Sequence, residues 1–123
     1  MVAKLKIYVA GPYSASSEVE RELNTQKAIE AGLSLFKLGH TPFIPHLTHY
    51  VDLHAHRKGI AMAWEDYIRL DLEWLDVCDA LLFLGSSKGA DLELEYAVKK
   101  GKRIYRSLDE IEPVSVPAVA VQT

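Results

Sequence analysis

Ala80-Leu81-Leu82-Phe83-Leu84, running directly into Gly85-Ser86-Ser87-Lys88-Gly89, is the stretch that decides the fold. An apolar run without alternation fits a strand covered on both faces, which is the condition of a central strand in a parallel sheet. Asp91, Glu93 and Glu95 then open a helix that Lys99 and Lys100 close before Gly101, acids first and bases last, as the helix dipole favours. Arg103 to Arg106 reads as a last short strand. Upstream, Leu5 to Ala10 is a β-prone run that stops at Gly11-Pro12, the pattern of a strand entering a loop.

Between these two strands the chain reads as helix, strand, polar stretch and helix. Ser17 and Glu20 fit a capping box, and Val19, Leu23, Ile29, Leu33, Phe36 and Leu38 recur near helical spacing until Gly39, which predicts a first helix. Thr41 to Pro45 is a short apolar segment expected to be a strand, and it leads into a long polar stretch, His46 to Gly59, expected to be a functional loop. From Ile60 to about Val77, Ile60, Trp64, Ile68, Leu72 and Leu75 share one helical face, while Glu65, Asp66, Arg69, Glu73 and Asp76 share the other. Strand and helix thus alternate. The expected fold class is α/β, a doubly wound parallel sheet of about four to five strands flanked by helices, with residues 1–123 forming a single domain. The tail, residues 112–123, fits an edge strand, a subunit-bridging arm or a disordered end.

Composition narrows the function classes. The 123 residues are 49% hydrophobic, enough for one core. No apolar run approaches the roughly 20 residues of a membrane span, and Met1 to Lys6 carries no signal-peptide pattern, so a cytoplasmic protein without a membrane partner is expected. With 14 basic and 17 acidic residues the net charge is −3, which lacks the positive field that polymeric nucleic acid requires. A small molecule is the expected partner. Cys78, the single cysteine, sits among apolar neighbours and is read as a buried, inert thiol.

In open α/β sheets ligands bind outside the carboxyl ends of the strands, which here are the loops beginning at Gly11, Pro45 and Gly85. Gly11, Pro12 and Tyr13 of the first loop and His46 of the second are therefore candidate substrate-binding residues. The Gly85 to Gly89 loop is not a P-loop, because Lys88 precedes the final glycine and no Ser or Thr follows it; Gly11-Pro12-Tyr13-Ser14 also lacks the dinucleotide fingerprint. Asp71 is anomalous. At 100° per residue it falls among Trp64, Ile68 and Leu75 on the face to be buried, where a carboxylate costs several kcal/mol unless it is paired, protonated or lining a cavity. Glu93, read as a surface residue in the first turn of its helix, either serves the helix dipole or points into the crevice. Tyr8 is core filler or reaches the same crevice with its hydroxyl. His46, His49, His54 and His56 make no metal-binding pair at helical spacing, so no metal is expected. Trp64 and Trp74 are read as core or interface aromatics, with base stacking as the other reading.

Four segments taken together point to a family: Tyr8-Val9-Ala10-Gly11-Pro12; Gly39-His40 with Phe43-Ile44-Pro45-His46; Asp71-Leu72-Glu73-Trp74-Leu75 with Asp79-Ala80; and Ser87-x-Gly89-x-x-x-Glu93-x-x-x-Ala97. Over about residues 4 to 106 the chain resembles the nucleoside 2-deoxyribosyltransferase-like superfamily, which includes the 2'-deoxynucleoside 5'-monophosphate N-glycosidases. The resemblance implies that Glu93 is the nucleophile, that Asp71 assists as acid or base and that Tyr8 orients the nucleophile. It also implies that Ser87 and Gly89 lie against the sugar or its 5' substituent, and that the protein is a homodimer or higher homo-oligomer with sites near the subunit interface. The implied reaction is cleavage or transfer at the N-glycosidic bond of a nucleoside or nucleotide through a glycosyl-enzyme, with retention and without a cofactor. The monophosphate hydrolases carry a serine and an arginine just after the first-strand glycine, where this chain has Pro12 and Ser14; a preference for free nucleosides, or a weak dependence on phosphate, is therefore expected. The alternatives are a non-catalytic nucleotide-binding or regulatory module of the same fold, and an unrelated sugar- or phosphate-binding enzyme.

Overall fold

The computed structural model describes residues 2–115. Four strands form one parallel sheet: β1 (Lys6–Ala10), β2 (Thr41–Phe43), β3 (Ala80–Phe83) and β4 (Arg103–Tyr105), in the spatial order β2-β1-β3-β4. Four α-helices flank it: α1 (Glu18–Lys37), α2 (Thr48–Arg57), α3 (Trp64–Asp76) and α4 (Lys88–Lys99). The α/β architecture, doubly wound in a single small domain, is as expected. β1 pairs with β2 on one side and β3 on the other, Tyr8 lying opposite Phe43 and Leu81. The order of the chain reverses across β1, so the carboxyl ends of β1 and β3 frame the crevice that such a reversal creates.

Side-chain alternation divides the core into two halves. Ile7 and Val9 of β1 with Ala80 and Leu82 of β3 face α1, packing on Ala28, Ala31 and Leu35. Tyr8 and Ala10 with Leu81 face the opposite way, against Leu75 of α3 and Ala97 of α4. β2 tolerates Pro42 because it is an edge strand, where a missing N–H costs no ladder bond. His40 is buried as a structural clip: its Nδ1 accepts from the Leu5 amide at 3.1 Å and its Nε2–H donates to the Glu112 carbonyl at 2.8 Å. Val2 bridges Val114 in parallel, which seats residues 112–115 beside the sheet; the remainder of the tail, residues 116–123, lies outside the described residues.

Three readings of the sequence need correction. The helix expected from Ile60 begins at Trp64, and Ile60 is exposed. The stretch expected to be a loop from His46 to Gly59 is a 3-10 turn at Pro45–Leu47 followed by α2. The apolar residues that mark α1 in the sequence are also not the ones it buries: Val19, Leu23, Leu33 and Phe36 are exposed, while Thr25, Ala28, Ala31, Gly32 and Leu35 pack. At about 1.5 Å per residue α1 is about 30 Å long, against about 17 Å for a five-residue strand, so the helix overhangs the sheet. Close approach, through small side chains, decides which face goes in. A Cβ on Gly32 would lie 2.4 Å from Cδ1 and 2.8 Å from Cγ1 of Ile44.

Gly32→Val should therefore force α1 off β2 and cost about 1–3 kcal/mol of overpacking, lowering Tm by roughly 4 °C or more. Thermal unfolding measures this, and an unchanged Tm would mean that α1 does not pack through Gly32.

Candidate active site

Because Tyr8 points to the face covered by α3 and α4, it meets the acids those helices carry. Tyr8 is fully buried and donates its hydroxyl proton to Glu93 Oε2. Its ring is held from the other side by an aromatic ladder: Phe43 stacks on Tyr8 at 5.6 Å and Trp74 stacks on Phe43 at 5.3 Å, with interplanar angles of 27° and 22°. Glu93 is not a surface residue of the first turn. Ser87 caps α4 through a 3.1 Å bond from the Ala90 amide, so the helix starts before Asp91 and Glu93 falls in its second turn, 5% exposed. Asp71 on α3 is 8% exposed. Among the described residues it has no hydrogen bond or ion pair. Both carboxyls line one cavity of about 520 Å³ at the carboxyl ends of β1 and β3.

Burial dominates the electrostatics of this pair. It pushes Asp71 from 3.8 up to about 7. It also raises Glu93 from 4.5 to about 8, with the Asp71 charge adding to the rise and the Tyr8 hydrogen bond opposing it. Tyr8 itself is raised well above its ordinary value, first by burial and then by the charge of Glu93. Near neutral pH the pair therefore holds on to a proton, and with one proton between them one carboxyl can act as acid and the other as base or nucleophile.

The other residues singled out in the sequence fall in different places. Gly11, Tyr13, His46, Ser87 and Gly89 line the cavity; Pro12 does not, although its carbonyl is part of the wall's support. His46 is buried, and its Nε2–H is shared between the Gly11 carbonyl at 3.0 Å and the Pro12 carbonyl at 3.2 Å. Its Nδ1 has no partner, and burial lowers its pKa, so a neutral ring pins the turn after β1. Gly89 borders Ile68 and Trp64: a Cβ there would meet Ile68 Cδ1 at 3.4 Å and Trp64 Cζ2 at 3.8 Å, ordinary van der Waals contact. Trp64 is half-buried and lines the cavity, with Lys88 Nζ 4.5 Å from its ring centroid. Cys78 is buried, and burial raises its thiol to about 11.

Sequence reasoning missed the α2 side of the cavity. Thr48 and Asp52 of α2 and Tyr67 of α3 line it, Tyr67 donating to Asp52 Oδ1 at 2.8 Å. His49 is buried between Tyr13 and Glu22. No local pattern announced it: His49, Asp52 and His56 share helical spacing, but His56 is exposed, and the partners of His49 and Asp52 lie in other elements.

Stability should report the buried acids. Below the ordinary values of 3.8 and 4.5, folded and unfolded chains both hold these protons, and the contribution is fully present. Above them the unfolded chain releases protons that the folded chain keeps until about 7 and 8, so stability falls as pH rises through that window. Denaturant titrations across it should show the fall, and Glu93→Gln, neutral and nearly isosteric, should flatten it and leave Tm at pH 8 no lower than wild type. A variant that loses stability more steeply than wild type over the same window would contradict the assignment of the proton to Glu93.

No curated protein matches the chain. A family model does, covering residues 5–106, which spans all four strands and both buried carboxyls; the chain belongs to the family described as domain of unknown function DUF4406.

Proposed function

We propose that the protein cleaves or transfers the N-glycosidic bond of nucleosides through a covalent glycosyl-glutamate on Glu93. The observation that carries this reading is the pairing of Glu93 with Tyr8 at a cavity that also holds the unpartnered, buried Asp71. Glu93, as carboxylate, attacks C1' of the sugar; the bond from C1' to the base nitrogen breaks with its electron pair on the base, and Asp71 gives that nitrogen a proton. Tyr8 holds the Glu93 carboxyl in place. Water or a second base, its proton taken by Asp71, then attacks C1' and frees Glu93, so configuration is retained. The chemistry needs only these side chains. Resemblance of the four sequence segments to the nucleoside 2-deoxyribosyltransferase-like superfamily supports the same roles.

The charge around the cavity favours a neutral substrate. Among the described residues Asp52, Glu65, Asp71 and Glu93 line it against one cation, Lys88, and no arginine lines it to reward a phosphate dianion. A cytoplasmic homodimer completes the proposal, with the exposed Leu70, Trp74 and Val77 of α3 as the apolar surface offered to the second copy. No helix among the described residues is long and apolar enough to cross a membrane.

The test is incubation with ribo- and deoxyribonucleosides and their 5'-monophosphates, reading free base by chromatography. Base release is expected from nucleosides at least as fast as from monophosphates, and Glu93→Gln should lower kcat by roughly a thousandfold, about 4 kcal/mol of barrier. Full activity in that variant would remove Glu93 as nucleophile. Release from no member of the panel would leave a non-catalytic binding module.

Reaction also requires Glu93 ionised and Asp71 protonated, which sets a pH dependence. With the carboxyls raised to about 8 and about 7, the singly protonated pair is most populated between those values. The kcat/KM profile should therefore be bell-shaped with its maximum there, falling on the acid side as the pair takes a second proton and on the alkaline side as it loses its last. A flat profile from pH 5 to 9 would exclude the pair as the working acid and base.

A further inference from the structure

On the α2 side of the cavity two hydroxyls, Thr48 and Tyr67, donate to protein acceptors. The Thr48 hydroxyl donates to the Pro45 carbonyl at 2.7 Å and Tyr67 donates to Asp52 at 2.8 Å. The third hydroxyl, on Tyr13, is fixed by a chain of two further residues. Glu22 Oε1 accepts from Tyr50 at 3.1 Å, and its Oε2 lies 3.0 Å from His49 Nε2, so Nε2 carries a ring proton. In the Nε2–H tautomer Nδ1 of His49, 2.8 Å from the Tyr13 oxygen, is the acceptor that takes the Tyr13 proton. Thr48 and Tyr67, and in that tautomer Tyr13, retain only lone pairs for a ligand, beside the Asp52 carboxyl. Ser14, exposed on the loop after β1, also lines the cavity.

We propose that Tyr13, Thr48, Asp52 and Tyr67 form the subsite for a hydrogen-bond-donating edge of the substrate, an exocyclic amino group of the nucleobase. The inference rests on the nucleoside reading of the same cavity and adds its specificity. An amino group at this wall meets acceptors from several sides, whereas a keto oxygen in its place puts acceptor against acceptor and leaves both unpaired. Bases with an amino group, as in adenine and cytosine, are selected over their keto counterparts. Glu22 and His49 act as positioning residues, fixing the direction of the Tyr13 proton without touching the ligand.

Binding separates this inference from catalysis. Calorimetry on Glu93→Gln, which cannot turn substrate over, should find 2'-deoxyadenosine bound at least about tenfold more tightly than 2'-deoxyinosine, the difference of one good hydrogen bond. Asp52→Asn, which keeps an acceptor for Tyr67 and turns an N–H donor toward the cavity, should narrow or reverse that preference with Tm unchanged. In the ¹⁵N spectrum of the ligand-free protein at pH 7.5, His49 should show the Nε2–H tautomer. Equal binding of the two nucleosides, or a doubly protonated His49, would overturn the amino-group subsite while leaving the nucleoside reading standing. Binding of neither nucleoside would overturn both. If affinity instead followed removal of the 3'-hydroxyl in 2',3'-dideoxyadenosine and ignored the amino group, the wall would read sugar and the proposal would fail.

Discussion

The hydrogen bond from Tyr8 to Glu93 is the constraint on which the rest of the site depends. It joins the central strand to α4 under the cavity, at a depth where an unpaired carboxyl costs several kcal/mol. Tyr8 reaches Glu93 only because β1 is registered with Leu81 on one side and Phe43 on the other. A slip of one residue would turn Tyr8 toward α1 and bring Ile7 or Val9 to face the acid. The Phe43 and Trp74 stack then fixes the ring, so the phenol is held in position before any ligand enters. Strand register, edge strand and two helices all converge on one oxygen.

Much of this was legible. Ala80 to Leu84 identified the central strand because burial on both faces leaves a local signature, and Asp71 stood out because an acid on an apolar helical face contradicts the pattern around it. What sequence could not supply was the depth of Glu93. Acids near a helix start usually answer the dipole, and only the cap at Ser87 shows that Glu93 lies a turn further in, beneath α3. The buried face of α1 was hidden for a related reason. Its contact uses alanine, glycine and threonine, whose value lies in close approach and not in hydrophobicity, so the larger apolar residues drew the eye to the wrong side.

The α2 segment shows a different limit. Its ten residues include three histidines and an arginine, and its helix has no side-chain cap to announce it. The helix is specified by tertiary partners: His49 is fixed by Tyr13 and Glu22, and Asp52 by Tyr67. Such long-range pairs carry no periodic signal, because each partner sits in a different element. The polar character that made the stretch read as a loop is the character of a cavity wall.

Acidity links the two ends of the cavity. Four carboxyl groups and one lysine line it, and in so shielded a space each negative charge makes the next harder to create. On the α4 side burial first, and for Glu93 the Asp71 charge in addition, makes the pair hold a proton, as the proposed chemistry needs. On the α2 side Tyr67 donates to Asp52, and in the proposed arrangement the Glu22–His49 chain directs the Tyr13 proton away from the cavity. A dianionic ligand would add charge to a site already in excess of it, whereas a neutral nucleoside with an amino group answers both walls at once: its sugar carbon meets the protonated pair, and its donor edge meets the acceptors. The division between the two walls thus follows from depth: Asp71 and Glu93 are buried, and for Glu93 burial outweighs even the hydrogen bond from Tyr8, whereas Asp52 is only partly buried and accepts from Tyr67.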